Sequence, residues 1–198
     1  MHSFFNPKSI AVIGASRYTS KVGNVILRNL IDSNYKGKLF PINPNADKIL
    51  HLKCYKSILD IKARVDLAII AIPANAVLQV LNESAKRGVK SIVIVTAGFS
   101  EVGNKTEEDK IKSLIRRYGI RLLGPNCLGI IDTYNNLNTI FLPKNRLMLK
   151  EKGGISLICQ SGAVGSTAVD VMSEQGIGFS KFVSYGNALD IDETDLLE

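Results

Sequence analysis

Apolar residues along this chain fall into short blocks separated by stretches of helical spacing. Ser9 to Ile13 ("SIAVI") is a compact apolar run suited to a strand buried on both faces, and Val22 to Ile31 ("VGNVILRNLI") places apolar residues at helical intervals. The alternation continues through "KLFPINP" (Lys38 to Pro44), "DLAIIAIP" (Asp66 to Pro73) and "KSIVIVTAG" (Lys90 to Gly98) to "IRLLGPN" (Ile120 to Asn126). Helices are predicted over Ala74 to Arg87, where Pro73 opens the first turn, and over Thr106 to Tyr118. Parallel neighbours need a crossover, and the crossover usually carries a helix. The pattern therefore predicts an α/β fold with a Rossmann-like, doubly wound parallel sheet.

After Gly129 the texture changes. Ile130 to Lys152 reads as an irregular, polar connector with a short possible strand near Thr139 to Leu142. "GGISLICQSGAVGSTAVDVMSEQG" then restarts the cycle: a strand at Ile155 to Cys159, a turn, a helix from Ala163 to Gln175, and a parallel neighbour at Gly178 to Val183. Residues 1–129 are expected to form one domain, 130–152 a connector, and 153–198 the opening of a second α/β domain.

Ligands of such sheets lie across the C-terminal ends of the strands. The first of those ends, "VIGASRYTSKVG", has Gly14, Ser16 and Thr19 where the dinucleotide fingerprint G-x-G-x-x-G would need three glycines. It offers instead the hydroxyls of Ser16, Thr19 and Ser20, the cations Arg17 and Lys21, and Gly23 where helix and sheet must pack closely. Such a turn suits a phosphate-rich ligand. The other ends bring Asn43 and Pro44, Ile72 and Pro73, Thr96, Ala97 and Gly98, and the Gly124-Pro125-Asn126 turn to the same rim. A second anion site is expected at Gln160-Ser161-Gly162-Ala163, where Ser161 can cap the helix and small residues let a phosphate approach the backbone.

Composition and charge narrow the class. The chain has 198 residues, 45% of them hydrophobic and 22% charged, which suffices for one substantial core or one domain plus part of another. Its net charge of +7 is spread over small clusters with no helix-turn-helix signature, and tryptophan is absent, so a polyanionic small molecule is a better match than nucleic acid. No apolar run approaches a membrane span and no signal peptide opens the chain, so the expected location is cytoplasmic. Cys54, Cys127 and Cys159 are widely separated and form no zinc or disulfide pattern, and no metal site is expected. His2 and His51, the only histidines, read as surface residues.

"VIGASRYTSKVGNVILRNL", "FPINP", "AIIAIPA", "TAGFSEVG", "GPNCLG", "ISLICQSGAVG" and "GFSKFVSYGNALDIDETDLLE", in this order, resemble the alpha part of the NDP-forming acyl-CoA synthetases. Within that family the resemblance leans to the ADP-forming acetate-CoA ligases, relatives of the succinate-CoA ligase alpha subunit. It implies a CoA-binding domain followed by the start of a flavodoxin-like ligase domain. The implied enzyme interconverts acyl-CoA, ADP and phosphate with carboxylic acid, ATP and CoA, through an acyl phosphate and a phosphohistidine. The resemblance places Gly14, Ser16 and Lys21 on the phosphate-bearing portion of CoA, and Asn43, Pro44, Ile72, Pro73, Thr96, Ala97 and Gly98 along the remaining path. Asn126 and Cys127 would lie toward the thiol, and Ser161 and Gly162 would receive the transferring phosphoryl group.

The family's phosphohistidine would lie beyond Glu198, and its ATP-grasp part, which handles Mg and ADP or ATP, resides in a separate subunit or fused segment. The chain alone is thus expected to be inactive, to work with that partner in an oligomer, and to be a truncated or proteolysed piece ending inside a helix. Two alternatives stay open: a regulatory CoA-binding module fused to a protein acetyltransferase, and a NAD-responsive sensor. Acyl specificity, fused or two-subunit organisation and ADP against GDP preference are not legible.

Overall fold

The computed structural model describes residues 1–142 and 152–197. A short helix, α1 (His2–Phe5), precedes β1 (Ser9–Ile13), α2 (Val22–Asp32) and β2 (Lys38–Ile42). Then come the two-residue strands β3 (Lys48–Ile49) and β4 (Leu52–Lys53), a 3-10 turn at Ile58–Asp60, β5 (Leu67–Ile70), α3 (Ala74–Lys86) and β6 (Ser91–Ile94). After a 3-10 turn at Ser100–Val102, α4 (Lys105–Tyr118) leads into β7 (Arg121–Leu123).

Five of these strands form a wholly parallel sheet in the order β2-β1-β5-β6-β7. Successive side chains of a strand point to opposite faces, and both faces here are buried. Ile10 and Val12 of β1, with Leu67 and Ile69 of β5, pack with Ile26, Leu27 and Leu30 of α2. Their neighbours Ala11, Ile13, Ala68 and Ile70 pack with Val77 and Leu81 of α3 and with Ile111 and Ile115 of α4. The apolar runs are continuous because each alternate residue has its own layer of helices to meet. Helix α4 shows the expected charge polarity, with Glu107 and Glu108 in the first turn and Arg116 and Arg117 in the last, before the left-handed Gly119.

The strict alternation of strand and helix is broken once. Between β2 and β5 the crossover carries the β3–β4 hairpin and the 3-10 turn in place of an α-helix. "NADKILHLKCYK" has too few apolar residues at helical spacing to cover a sheet face, and its two central residues, Leu50 and His51, take positive φ values of 46° and 67°, the conformation of a tight hairpin turn.

The stretch read as an irregular connector also has structure. Strands β8 (Gly129–Asp132) and β9 (Leu137–Asn138) join β10 (Lys152–Cys159) and β11 (Phe179–Ser184) in a second, mixed sheet ordered β10-β11-β8-β9. The strand predicted near Thr139 to Leu142 lies instead at Leu137 and Asn138. Residues 143–151 of that connector lie outside the described residues. β10 and β11 are parallel neighbours joined through α5 (Gly162–Glu174), whereas β8 runs antiparallel to β11.

The chain from Tyr185 onward returns to the first sheet. Backbone N–H groups of Leu189 and Ile191 donate to the carbonyls of Gly124 and Leu122 (3.2 and 3.1 Å), and Ile191 is fully buried in the first core. Arg121 donates through Nε to Asp190 (2.9 Å) and through Nη2 to Asp195 (2.8 Å) of α6 (Glu193–Leu197). The outer edge of β7 is thereby covered, which removes a template for unwanted strand pairing.

Candidate functional site

Numbered by order within the first sheet, the strands run 2-1-3-4-5, so the topological switch point lies between β1 and β5. At that point the turn after β1 is built by close backbone approach. Gly14 has φ of +91°, its N–H donates to the carbonyl of Ile42 (3.0 Å), and a β-carbon on it would collide with the carbonyl of Ala71. A β-carbon on Gly23 would collide with the carbonyl of Gly14 itself. Glycine at both positions lets the first turn of α2 press directly against the strand end.

Polar side chains then brace the rim. Asn43 donates from Nδ2 to the carbonyl of Ala15 (2.7 Å) and accepts at Oδ1 from the N–H of Asn45 (2.8 Å), so it locks the turns after β1 and β2 together. The Thr96 hydroxyl donates to the carbonyl of Ile72 (2.7 Å), which ties the end of β6 to that of β5. Buried Asn24 donates to the carbonyl of Ser16 (2.6 Å), while the Ser16 hydroxyl accepts from the N–H of Tyr18 (3.1 Å). The N-terminus of α2, at Lys21, has no side-chain cap among the described residues. Its first amide groups and the positive end of the helix dipole are turned to the crevice, an arrangement that favours an anion.

Two cavities open at the switch point. One, of about 460 Å³, is lined by Gly14, Ser16, Lys21, Asn43, Ile72, Pro73, Thr96 and Ala97 of the predicted set, together with Phe141. The other, of about 560 Å³, shares Gly14, Asn43, Ile72 and Pro73 and adds Pro44, Asn45, Lys56, Ser57 and Glu83. A larger, open groove of about 900 Å³ lies between α3 and α4, away from the strand ends, and is lined chiefly by polar helix side chains. The switch-point pair is the better candidate, because there glycine backbone, an open helix start and a lysine converge.

Not every predicted residue meets these cavities. Gly98 lies beside them, with φ of +112° and its N–H held, like that of Phe99, by the Glu101 carboxylate. Burial pushes the Glu101 pKa up, but hydrogen bonds from Gly98, Asn187 and Phe99 outweigh it and hold the group below the usual carboxylate range. Asn126, exposed and at φ of 57°, donates to Asn187 (3.2 Å), whose own amide donates to Glu101 (2.6 Å) and to the buried Glu108 (3.0 Å). Cys127 is buried, with Sγ 3.4 Å from the carbonyl of Ile94, and burial pushes its thiol up to about 12. A neutral thiol inside the core supports packing and has no reach to a ligand in this arrangement.

Ser161 and Gly162 lie at the start of α5. The Ser161 hydroxyl accepts from the N–H of Val164 (3.3 Å) as an N-cap, and a β-carbon on Gly162 would press on Leu128. They are separate from the two cavities.

Sequence reasoning missed Phe141, Asn24, Asn29 and Asn187. Asn29, buried in α2, donates to the carbonyls of both Ile140 and Leu142 (2.8 Å each) and so fixes the segment that carries Phe141 to the cavity. The available signal was an asparagine at each of two otherwise apolar-facing positions of α2, Asn24 and Asn29.

A family model described as CoA binding domain matches residues 8–133, and one described as succinyl-CoA ligase like flavodoxin domain matches residues 152–198. The chain belongs to the CoA-binding domain family. It is 53% identical over 192 residues to an ADP-forming acetate–CoA ligase of Methanocaldococcus jannaschii, a match covering 97% of this chain and 26% of the relative. It is 44% identical to subunit alpha of the ADP-forming acetate–CoA ligase II of Pyrococcus furiosus, covering 98% of this chain and 42% of that one. Acetyl-coenzyme A synthetase 1 of Ca. Korarchaeum cryptofilum, solved with phosphate and ADP, superposes with a TM-score of 0.93 at 43% identity, over 99% of this chain and 41% of that chain. This CoA-binding domain and the ligase-like segment after it thus span between about a quarter and under half of these relatives' lengths.

Proposed function

We propose that the chain is the CoA-binding portion of an ADP-forming acid–CoA ligase acting on a small acid such as acetate. The observation that carries the reading is the coincidence of the CoA-binding family match with a phosphate-suited crevice at the switch point. In it, the uncapped start of α2, Ser16 and Lys21 offer donors and charge to the phosphates, and Asn43, Ile72, Pro73, Thr96 and Ala97 form the walls. Three of the expected contacts are left out of this site: Cys127 lies in the core, Gly98 is engaged by Glu101, and Asn126 donates to Asn187.

In the complete enzyme, phosphate would displace CoA thiolate from acyl-CoA to give an acyl phosphate, whose phosphoryl group would pass to a histidine with release of the carboxylate, and from the histidine to ADP to give ATP. Ser161 and Gly162 at the start of α5 would stabilise the phosphoryl group, since preoriented amides need no reorganisation as charge develops. Neither histidine of this chain suits the transfer role: His2 lies in α1 and His51 in the hairpin turn. Among the described residues no cluster of His, Cys, Asp and Glu is arranged to hold a metal ion. The likeness to ADP-forming acid–CoA ligases, of which this chain spans less than half, supports assigning the phosphohistidine, Mg and ADP or ATP to other parts of the complete enzyme, with an ATP-grasp subunit or fused domain as partner. None of the relatives named above is an acetyltransferase or a NAD-responsive sensor.

Calorimetric titration with CoA, and with NAD in parallel, tests the reading. Saturable CoA binding without a NAD response is expected; NAD binding without CoA binding would sink it.

A further inference from the structure

We infer that the chain carries a second oxyanion site at the end of the first sheet opposite the switch-point crevice, where Lys8, Lys36 and Lys38 converge to hold a diphosphate group. The inference is independent of the CoA reading. The two sites lie at opposite ends of the same strands and have no lining residue in common.

Two cavities open at the N-terminal strand ends. One, of about 510 Å³, is bounded by Asn6 to Lys8 before β1, by Tyr35 to Lys38 between α2 and β2, and by Tyr134 to Asn136 between β8 and β9. It therefore joins the first sheet to a turn of the second. The other, of about 420 Å³, shares Lys8 and Lys38 with it and adds Arg64 and Asp66 just before β5.

The walls are held in place by the protein itself. The Tyr35 hydroxyl donates to the carbonyl of Pro7 (2.7 Å), and the N–H of Lys38 donates to the carbonyl of Lys8 (2.9 Å). Gly37 has no room for a side chain, because a β-carbon there would collide with the Tyr35 hydroxyl and the Lys8 carbonyl. Glycine between the two lysines thus lets this loop close on the segment before β1. Across the cavity, the Asp132 carboxylate accepts from the N–H groups of Tyr134 and Asn135 (3.0 and 3.1 Å) and from Nδ2 of Asn135 (3.0 Å), which sets that turn. A ligand would meet a surface already ordered, which lowers the entropy cost of binding.

The charge at the rim lacks a counterion. Among the described residues none of the three lysines meets a carboxylate: Lys8 and Lys36 reach only the neutral side-chain oxygens of Asn6 and Asn34 (3.0 Å each). Asp66 is the one acid among the residues lining either cavity, and it is engaged by Nε of Arg64 (2.7 Å) and the N–H of Lys8 (2.9 Å). Exposed lysines elsewhere do pair, Lys56 with Asp47 and Lys110 with Glu107. An ordinary solvated face mixes both signs in that way. Residues 1–66 carry eleven Lys and Arg against four Asp and Glu, whereas residues 67–198 carry fourteen of each, so the whole excess of +7 resides in the first third of the chain. Like charges grouped around one cavity repel each other, and an anion bearing several charges relieves that repulsion. Lysines, as compact point charges, suit phosphate oxygens. Tyr134 is exposed at the same rim, with the Lys152 ammonium 5.6 Å from its ring centroid, and its ring offers a stacking face for a base. The diphosphate can thus arrive free or as part of a nucleotide.

The test is a heteronuclear NMR titration of the intact 198-residue chain with inorganic pyrophosphate at low salt. Saturable shifts are expected at the backbone amides of Lys8, Gly37 and Asn135. Affinity should fall about tenfold or more in the Lys36→Met/Lys38→Met double variant, the scale of one charge-assisted contact, and should persist in Lys21→Met. Both rim lysines are exposed, so the double variant should keep the thermal midpoint of the unaltered chain. ADP in place of pyrophosphate distinguishes the sources: tighter binding at the same amides, with the gain lost in Tyr134→Leu, identifies a nucleotide, and equal affinity identifies the free oxyanion. Either result upholds the site. No shift at those three amides, shifts confined to the start of α2, or undiminished affinity in the double variant would overturn it, whatever the outcome with CoA.

Discussion

A side chain on Gly23 would occupy the space of the Gly14 carbonyl oxygen. The two glycines sit at opposite ends of the first loop, and their contact sets how closely the start of α2 approaches the end of β1. Backbone cannot step aside as a flexible side chain can. Gly23→Ala should therefore cost about 3 kcal/mol or more, the upper range for overpacking, read as a lowered midpoint in urea unfolding. A midpoint within error of the unaltered chain would show that the loop does not depend on this approach.

Asn29 offers a second, separable test. Its buried amide serves two carbonyls on either side of Phe141, so Asn29→Leu leaves both without their donor. The expected loss is about 1–3 kcal/mol of stability, together with weaker ligand binding because Phe141 is no longer held at the cavity. A stability loss with unchanged ligand affinity would remove Phe141 from the account of the site.

For Lys21, beside the uncapped start of α2, the expectation concerns ligand chemistry. Lys21→Met should weaken CoA more than it weakens a pantetheine fragment lacking the phosphates, and the difference should shrink in high salt. Equal losses for both ligands would contradict the placement of Lys21.

Acid should loosen the link between Arg121 and α6. Asp195 is held below the usual carboxylate range, first by its hydrogen bond from Arg121. A depressed carboxyl pKa stabilises the fold at pH values above that of the free group, about 3.9, and the contribution is lost as pH falls through the folded-state value. The pair is partly solvated, so its worth at neutral pH is at most about 1 kcal/mol. The stability gap between the unaltered chain and Asp195→Asn, followed by denaturant titration, should close below that range; a gap that grows in acid would reverse the sign of the argument.

Most of the first sheet was legible because each strand is buried on both faces and so reads as an unbroken apolar run between turn residues. The rim was legible for the same reason: strand ends in such a sheet must converge, so Gly14, Asn43, Ile72, Pro73 and Thr96 could be grouped before any contact was known. Elements made by long-range partners were not. Strands β8 and β9 are short and polar at their ends; β8 takes its strand character from pairing with β11, about fifty residues away in sequence, and the two-residue β9 takes its own from pairing with β8 once β8 is placed. The resemblance placed Cys127 toward the thiol of CoA, but its side chain is buried against the carbonyl of Ile94. Phe141 lies in a stretch whose pattern suggested only a short strand, and Asn187 in the loop after β11; hydrogen bonds from Asn29 to Ile140 and Leu142, and from Asn126 to Asn187, bring them to the rim.

The central claim is that CoA enters the crevice between β1 and β5. A crystal structure of the chain with CoA tests it most directly. The account predicts the phosphates of CoA at the start of α2, beside Gly14, Ser16 and Lys21, with the ligand running between Asn43 and the Ile72–Pro73 wall. CoA seated instead in the larger groove between α3 and α4 would contradict it.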